Sequence, residues 1–243
     1  MPDEPLIGDA FGALMAEQLK TGQAIEVVER DDGFIGATAA TRYFDPPQRW
    51  IPLDVTAVDK CAGRVLDIGA GAGRAALAVQ DLGLDVLALD TSPGAIRVCQ
   101  RRGVRDTFTG TVQELAHDRP EAFDTFLLLG NNLGLLEGPQ ASAGFLAALA
   151  ALATPGAIIL GINNDPYGTQ DPLHLGYHER NRAAGRPAGQ LRLRVRHRQL
   201  ATPWFEYLLS APDELERLVA GTAWRLADVR SDGGSYLATL AGR

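Results

Sequence analysis

Asp67, Gly69, Gly71, Gly73 and Asp90 form the pattern in this chain with the most chemical content. Arg64-Val65-Leu66-Asp67-Ile68 reads as a short apolar strand, Gly69-Ala70-Gly71-Ala72-Gly73 as a tight turn, and a helix leaves from Arg74. Glycines keep side chains out of the space where a ligand's backbone or ribose would lie. The free N–H groups of the departing helix face that space. Such a turn at the carboxyl end of a central strand is where open α/β sheets bind ligands. The spacing is Gly-x-Gly-x-Gly, whereas dinucleotide sites use Gly-x-Gly-x-x-Gly with a pyrophosphate on the helix terminus. An anion at Asp67 repels a pyrophosphate and suits a ligand with a cationic amino group. Asp90 ends the next strand, with Thr91 beside it, where a carboxylate can accept from both hydroxyls of a ribose. No lysine stands in the P-loop position, which argues against a nucleoside triphosphate.

A second group lies further along. His174 and His178 stand four apart with Tyr177 between them, sharing a face if the segment is helical. At the carboxyl edge of the sheet these three are candidates to position an acceptor or take its proton. Asn164 and Tyr167 are alternative contacts there. Asp171 with the two histidines has no His-Glu-x-x-His pattern, so no metal site is expected. His117 follows a short helix and reads as solvated; His197 sides with Leu191, Leu193 and Val195 and reads as a core histidine. Glu179 to Arg198 holds seven arginines. They offer a contact for a substrate carboxylate or phosphate, or else form the solvated face of a long strand guarded against edge pairing, the reading we favour.

Strands at 64–68, 86–90, 106–109, 123–129 and 157–163 alternate with helices at 74–82, 92–102 and 141–152. That rhythm means βαβ units and a parallel sheet covered on both faces. Residues 164–190 read as an irregular substrate-side insertion, and Gln190 to Leu200 as a half-exposed antiparallel strand. Pro212 opens a helix, and Trp224–Val229 and Ser235–Leu240 pair across Asp232-Gly233-Gly234. Residues 1–60 show no strongly periodic strand. They read as a helical cap or lid of the same domain, with Tyr43, Phe44 and Trp50 beside two prolines, and residues 61–243 form the core.

Asp67-Ile68-Gly69-Ala70-Gly71-Ala72-Gly73 resembles motif I of the class I S-adenosylmethionine-dependent methyltransferases, and Asp90 resembles their acidic residue after the second strand. The resemblance covers roughly residues 60 to 163. It implies a Rossmann-like three-layer α/β sandwich with a mostly parallel seven-stranded sheet of order 3-2-1-4-5-7-6. It also implies S-adenosyl-L-methionine lying across strands 1, 2 and 4. Gly69, Gly71 and Gly73 would meet its amino-acid part, Asp90 its ribose, and Thr111, Val112 and Gln113 its adenine. Gly130, Asn131 and Asn132 would lie beneath its methionine moiety, with Tyr43 reaching in from the lid. Thr111 departs from the aspartate frequent in relatives. Either its hydroxyl or the Val112 backbone must then serve the adenine amine.

Composition narrows the partner. The 243 residues are 46% hydrophobic with a net charge of −7, which argues against nucleic acid and anionic membrane surfaces. No apolar run spans a bilayer and no basic n-region precedes an apolar h-region at Met1, so a cytoplasmic protein is expected. Two cysteines make no disulfide scaffold. No Asn/Asp-Pro-Pro-aromatic motif follows the fourth strand, which reads Gly130-Asn131-Asn132-Leu133. The expectation is methyl transfer by in-line displacement to oxygen or nitrogen of a small molecule, an anionic one if the arginines contact it. The alternatives are an NAD(P)-dependent oxidoreductase and a cofactor-binding regulator without turnover.

Overall fold

Strict alternation inside the buried strands builds the core. The computed structural model describes residues 4–118 and 122–243. Its larger sheet contains β4 (Val65–Ile68), β5 (Val86–Asp90), β6 (Asp106–Thr109), β7 (Phe123–Leu128), β8 (Ala153–Asn164), β12 (Trp224–Asp232) and β13 (Ser235–Gly242). Leu66, Leu87, Phe126 and Ile159 pack with Leu115, Leu146 and Leu215 in one layer. Their neighbours Val65, Ala88, Leu127 and Leu160 pack with Ala57, Ala76 and Val79 in the other. A period of two therefore sends successive side chains into opposite helical layers. Those layers hold α2 (Pro52–Asp59), α3 (Arg74–Asp81) and α4 (Pro93–Arg102) on one side, and α5 (Val112–Asp118), α6 (Pro139–Ala151) and α8 (Pro212–Val219) on the other.

The strand order is β12-β13-β8-β7-β4-β5-β6, which is 3-2-1-4-5-7-6 counted by appearance within the sheet. The five strands from β4 to β8 are parallel, and β13 runs antiparallel to both β8 and β12. The expected three-layer sandwich and its closing hairpin are therefore present.

The N-terminal segment differs from a helical cap. β1 (Leu6–Ile7), α1 (Ala10–Thr21), β2 (Ile25–Arg30) and β3 (Ile35–Ala39) precede the core. The three strands join β9 (Gln190–His197), β10 (Leu200–Ala201) and β11 (Phe205–Leu208) in a second, six-stranded sheet. β9 pairs antiparallel with β2, β10 and β11, so its arginines lie on an interior strand and guard no edge. The stretch 164–190 is also more regular than expected. Asp171 caps α7 (Pro172–Ala183) by accepting from Leu173 N, with proline at the first helical position.

One carboxylate fastens α1 to the core. Asp9 Oδ1 accepts from Gly12 N at 2.8 Å and from Ser92 Oγ at 2.6 Å, while its Oδ2 accepts from Gly94 N at 2.8 Å. It thereby satisfies orphan N–H groups at two helix starts, where the helix dipoles also favour an anion. The backbones of α1 and α4 touch here: a Cβ at Gly94 would lie 2.6 Å from Gly12 Cα.

Candidate active site

Gly69, Gly71 and Gly73 hold φ of +70°, +56° and +77°, a left-handed path closed to most side chains. The turn is also tightly lined. A Cβ at Gly69 would lie 2.5 Å from Asn132 Nδ2, and one at Gly73 would lie 2.8 Å from Val104 Cγ2. Asn132 Nδ2 donates to the carbonyls of Ile68 and Gly69 at 2.9 Å, tying the ends of β4 and β7 together. Asp90 Oδ2 accepts from Gly71 N and its Oδ1 from Ser92 N, both at 2.8 Å. The carboxylate thus joins the glycine turn to the start of α4, with Thr91 exposed at the rim. Burial pushes its pKa above the usual carboxylate range.

Asp67 lies behind the turn, 3% exposed, and accepts from Ala76 N at 3.1 Å, which anchors α3. Burial raises its pKa to about 7, against the lowering pull of Arg74. Because the folded pKa lies above the unfolded one, stability from this group is full below about pH 4 and falls as pH rises toward 7. Asp67→Asn keeps an oxygen for Ala76 N and removes the buried charge. Its melting temperature is expected to exceed wild type at pH 8, with the gap closing toward about pH 4; thermal unfolding across that range checks this, and an equal gap at both ends sinks it.

Thr111 caps α5 in a reciprocal box. Its hydroxyl donates to Glu114 Oε2 at 3.0 Å and accepts from Glu114 N at 3.1 Å. That hydroxyl is committed to the cap, and the Val112 side chain is core, so only the Val112 backbone at the start of the helix is left to the cleft. Gly130 and Asn131 turn out of β7 with φ of +63° and +71°. The Asn131 carbonyl accepts from Tyr207 Oη at 2.5 Å. The lid lies directly over the turn: a Cβ at Gly71 would stand 3.8 Å from Phe11, Met15 and Tyr43 alike. Tyr43 packs edge-on against Phe11 at 5.4 Å and donates to Glu26 Oε1 at 2.7 Å.

The α7 residues are largely committed elsewhere. Tyr177 Oη donates to Asp31 Oδ1 at 2.8 Å, and His174 Nδ1 receives Arg30 Nη1 at 3.0 Å. Arg30 lies 4.1 Å from the Tyr177 ring centroid and forks onto Asp32, so the group docks α7 on the β2–β3 turn. His178 is buried, and its Nδ1 has no partner among the described residues. Burial, then Arg182, lowers its pKa. Tyr167 donates to Glu214, and Asn164 accepts from Ser235 Oγ. His197 is buried against Glu17 at 2.9 Å, and His117 is exposed at the end of α5.

Most of the arginines from Glu179 to Arg198, offered as a substrate contact but favoured as a solvated strand face, are spent on carboxylates. Arg194 and Arg196 meet Glu29 at 2.8 and 3.4 Å, Arg198 meets Glu17 at 2.7 Å, and Arg180 meets Asp32 at 2.9 Å. Three residues that the sequence reading missed complete the roof instead. Glu26, 2% exposed on β2, takes the Tyr43 hydroxyl and the Arg42 guanidinium, while Tyr207 comes from β11. Only the Tyr43-Phe44 aromatic pair hinted at them. No cluster of metal-ligating side chains occurs among the described residues.

Residues 65–156 match the family described as a methyltransferase domain. That match takes in the glycine turn, Asp90 and strands β4 to β7, so residues 65–156 form a methyltransferase domain, and the sheet order given above is the fold of the class I S-adenosylmethionine-dependent methyltransferases. It is 48% identical over 56 residues to a demethylmenaquinone methyltransferase of Renibacterium salmoninarum, covering 23% of this chain and 24% of that protein. It is 30% identical over 106 residues to a ubiquinone biosynthesis O-methyltransferase of Xanthomonas euvesicatoria, covering 42% and 43%. The chain thus spans less than half the length of these curated relatives. A methyltransferase structure from Bacteroides fragilis, in complex with S-adenosyl-L-homocysteine, superposes with a TM-score of 0.82 at 24% identity, over 96% of this chain and 94% of that one. The 1,6-didemethyltoxoflavin-N1-methyltransferase of Burkholderia thailandensis superposes at 0.56 and 19% identity, over 99% and 92%.

Proposed function

We propose that this protein transfers the methyl group of S-adenosylmethionine to oxygen or nitrogen of a small molecule. The observation that carries the reading is the left-handed glycine turn at the end of β4, with the Asp90 carboxylate bonded to its centre. The residues present fit such a cofactor. The three left-handed glycines leave the turn bare of side chains of its own at those positions, and Asp90 ends β5 where a diol acceptor is needed. When bound, the cofactor supplies an electrophilic methyl on a sulfonium, and the protein's task is alignment and exclusion of water. Gly69, Gly71 and Asp90 would hold it, Thr91 and Val112 would border its nucleoside, Gly130 and Asn131 would lie under its amino-acid end, and Tyr43 would cover it.

Supporting a small acceptor, the curated relatives are named for quinone biosynthesis and the Burkholderia structure holds 1,6-didemethyltoxoflavin. Of the α7 trio, His178 has a buried Nδ1 without a partner among the described residues and a lowered pKa, so it remains the candidate proton acceptor, with His174 and Tyr177 positioning the helix that carries it. Calorimetric titration with S-adenosylhomocysteine and, separately, NADH tests the assignment. Saturable binding of the first alone is expected. Binding of NADH alone overturns it and makes the turn a dinucleotide site.

A further inference from the structure

α7 docks on the β2–β3 turn through contacts that need its histidines neutral. Arg30 Nη1 donates to His174 Nδ1 at 3.0 Å. A guanidinium only donates, so this nitrogen presents a lone pair and the ring proton sits on Nε2. Protonating Nδ1 would set two donors and two positive charges against each other. His178 follows one helical turn later and is 4% exposed. Its Nδ1 has no partner among the described residues, so a proton placed there is buried without an acceptor.

The charged groups around the two rings set the direction. Arg182 and His174 on α7 and Arg30 on β2 face His178, and all three, after burial itself, disfavour its charged form. Glu214 on α8 favours that form, but its carboxylate is already taken by Tyr167 Oη on one oxygen and Ala211 N on the other. Asp171 lies 3.8 Å from His174 Nε2, beyond hydrogen-bond reach, and at 46% exposure its pull is screened by solvent. The other ties between α7 and the turn are Tyr177 Oη to Asp31 and Arg180 to Asp32. The Arg30 hydrogen bond holds the Asp32 carboxyl below the usual range, so that ion pair outlasts the neutral histidines as pH falls.

We propose that α7 is a proton-operated latch: His174 and His178 take up protons as the helix leaves the β2–β3 turn, and mildly acid solution releases it. The released helix then binds more protons than the docked one. Docking is therefore full above the free imidazole value, about 6.5, and weakens as pH falls below it. The loss is up to about tenfold per pH unit for each proton taken up. The inference does not need the methyltransferase reading. Because His178 is also the candidate proton acceptor, the test reads exchange and not turnover.

Hydrogen exchange on the full chain at about pH 7.5 and about pH 5.5, corrected for the intrinsic rate at each, tests the latch. Protection over residues 172–183 is expected to fall at the lower pH by up to about 10-fold for one proton and about 100-fold for two, while β4 and β7 keep theirs. His174→Gln retains an oxygen to accept from Arg30 Nη1, and His178→Gln retains a neutral polar side chain; neither titrates. The double variant is expected to hold α7 equally at both pH values. Should it fail to fold, each single variant is expected to remove part of the step. Wild-type α7 equally protected at both pH values overturns the latch. So does a loss shared by β4 and β7, which is acid unfolding of the whole chain, or a full wild-type step in the folded variants.

Discussion

Replacing Asp90 with alanine is expected to weaken S-adenosylhomocysteine binding by two to four powers of ten. Two hydrogen bonds from a ribose diol to a carboxylate contribute about 1.5–3 kcal/mol each, or roughly 3–6 kcal/mol together. The substitution also strips Gly71 N and Ser92 N of their acceptor, so the turn loses its link to α4. Asp90→Asn separates these effects, since its single carbonyl can still serve one of the two N–H groups while the charge is gone. Calorimetry on both variants, with thermal unfolding to confirm the fold, checks the expectation. Unchanged affinity in a folded Asp90→Ala protein means the ligand does not touch the end of β5.

Gly94→Val is expected to lower the melting temperature by about 5–10 °C, from a packing cost of roughly 2–3 kcal/mol. The contact is backbone on backbone, 2.6 Å from a Cβ at Gly94 to Gly12 Cα, so no rotamer change relieves it. α1 must move away from α4, and Asp9 cannot then reach both helix starts. Phe11 and Met15 move with it, off the glycine turn they cover. The same variant should therefore bind S-adenosylhomocysteine more weakly. Gly144→Ala in α6 is the matched control, because nothing lies within 4 Å of its Cβ. It should be neutral or raise stability by up to about 1 kcal/mol. A Gly94→Val protein as stable as wild type means the helices do not touch as described.

What was legible in the sequence is local. Val65–Ile68 and Val86–Asp90 are continuous apolar runs because both faces of a parallel strand are covered, and each run is short enough to recognise alone. The glycine turn announces itself within five residues. α7 carried readable signals too, an aspartate then a proline at its start, overshadowed by the glycines and prolines around it. Thr111-Val112-Gln113-Glu114 likewise spelled a capping box. The second sheet was not legible. β2 reads as an acidic stretch because Glu26 and Glu29 face partners that only the fold supplies: Arg42 and Tyr43 for one, and Arg194 and Arg196 for the other. No window along the chain contains both halves of the Glu29 pairs, so its charges pass for solvated ones. Tyr207 and Asn131 meet across 76 positions, which hides the roof of the site for the same reason.

That long-range pairing also sets a schedule for synthesis. Val28 of β2 pairs with Val195 of β9, so the hairpin made first cannot find its neighbour until 167 more residues exist. At about 5–20 residues per second that delay is roughly 8–33 s on the ribosome. Through it Val28 and the Glu29 carboxylate wait without the β9 side of their sheet, while every strand from β4 to β8 emerges with its partner close behind or already made. The nascent chain thus finishes the glycine turn and the strands that carry it before it can complete the second sheet, which depends on the segment from β9 to β11.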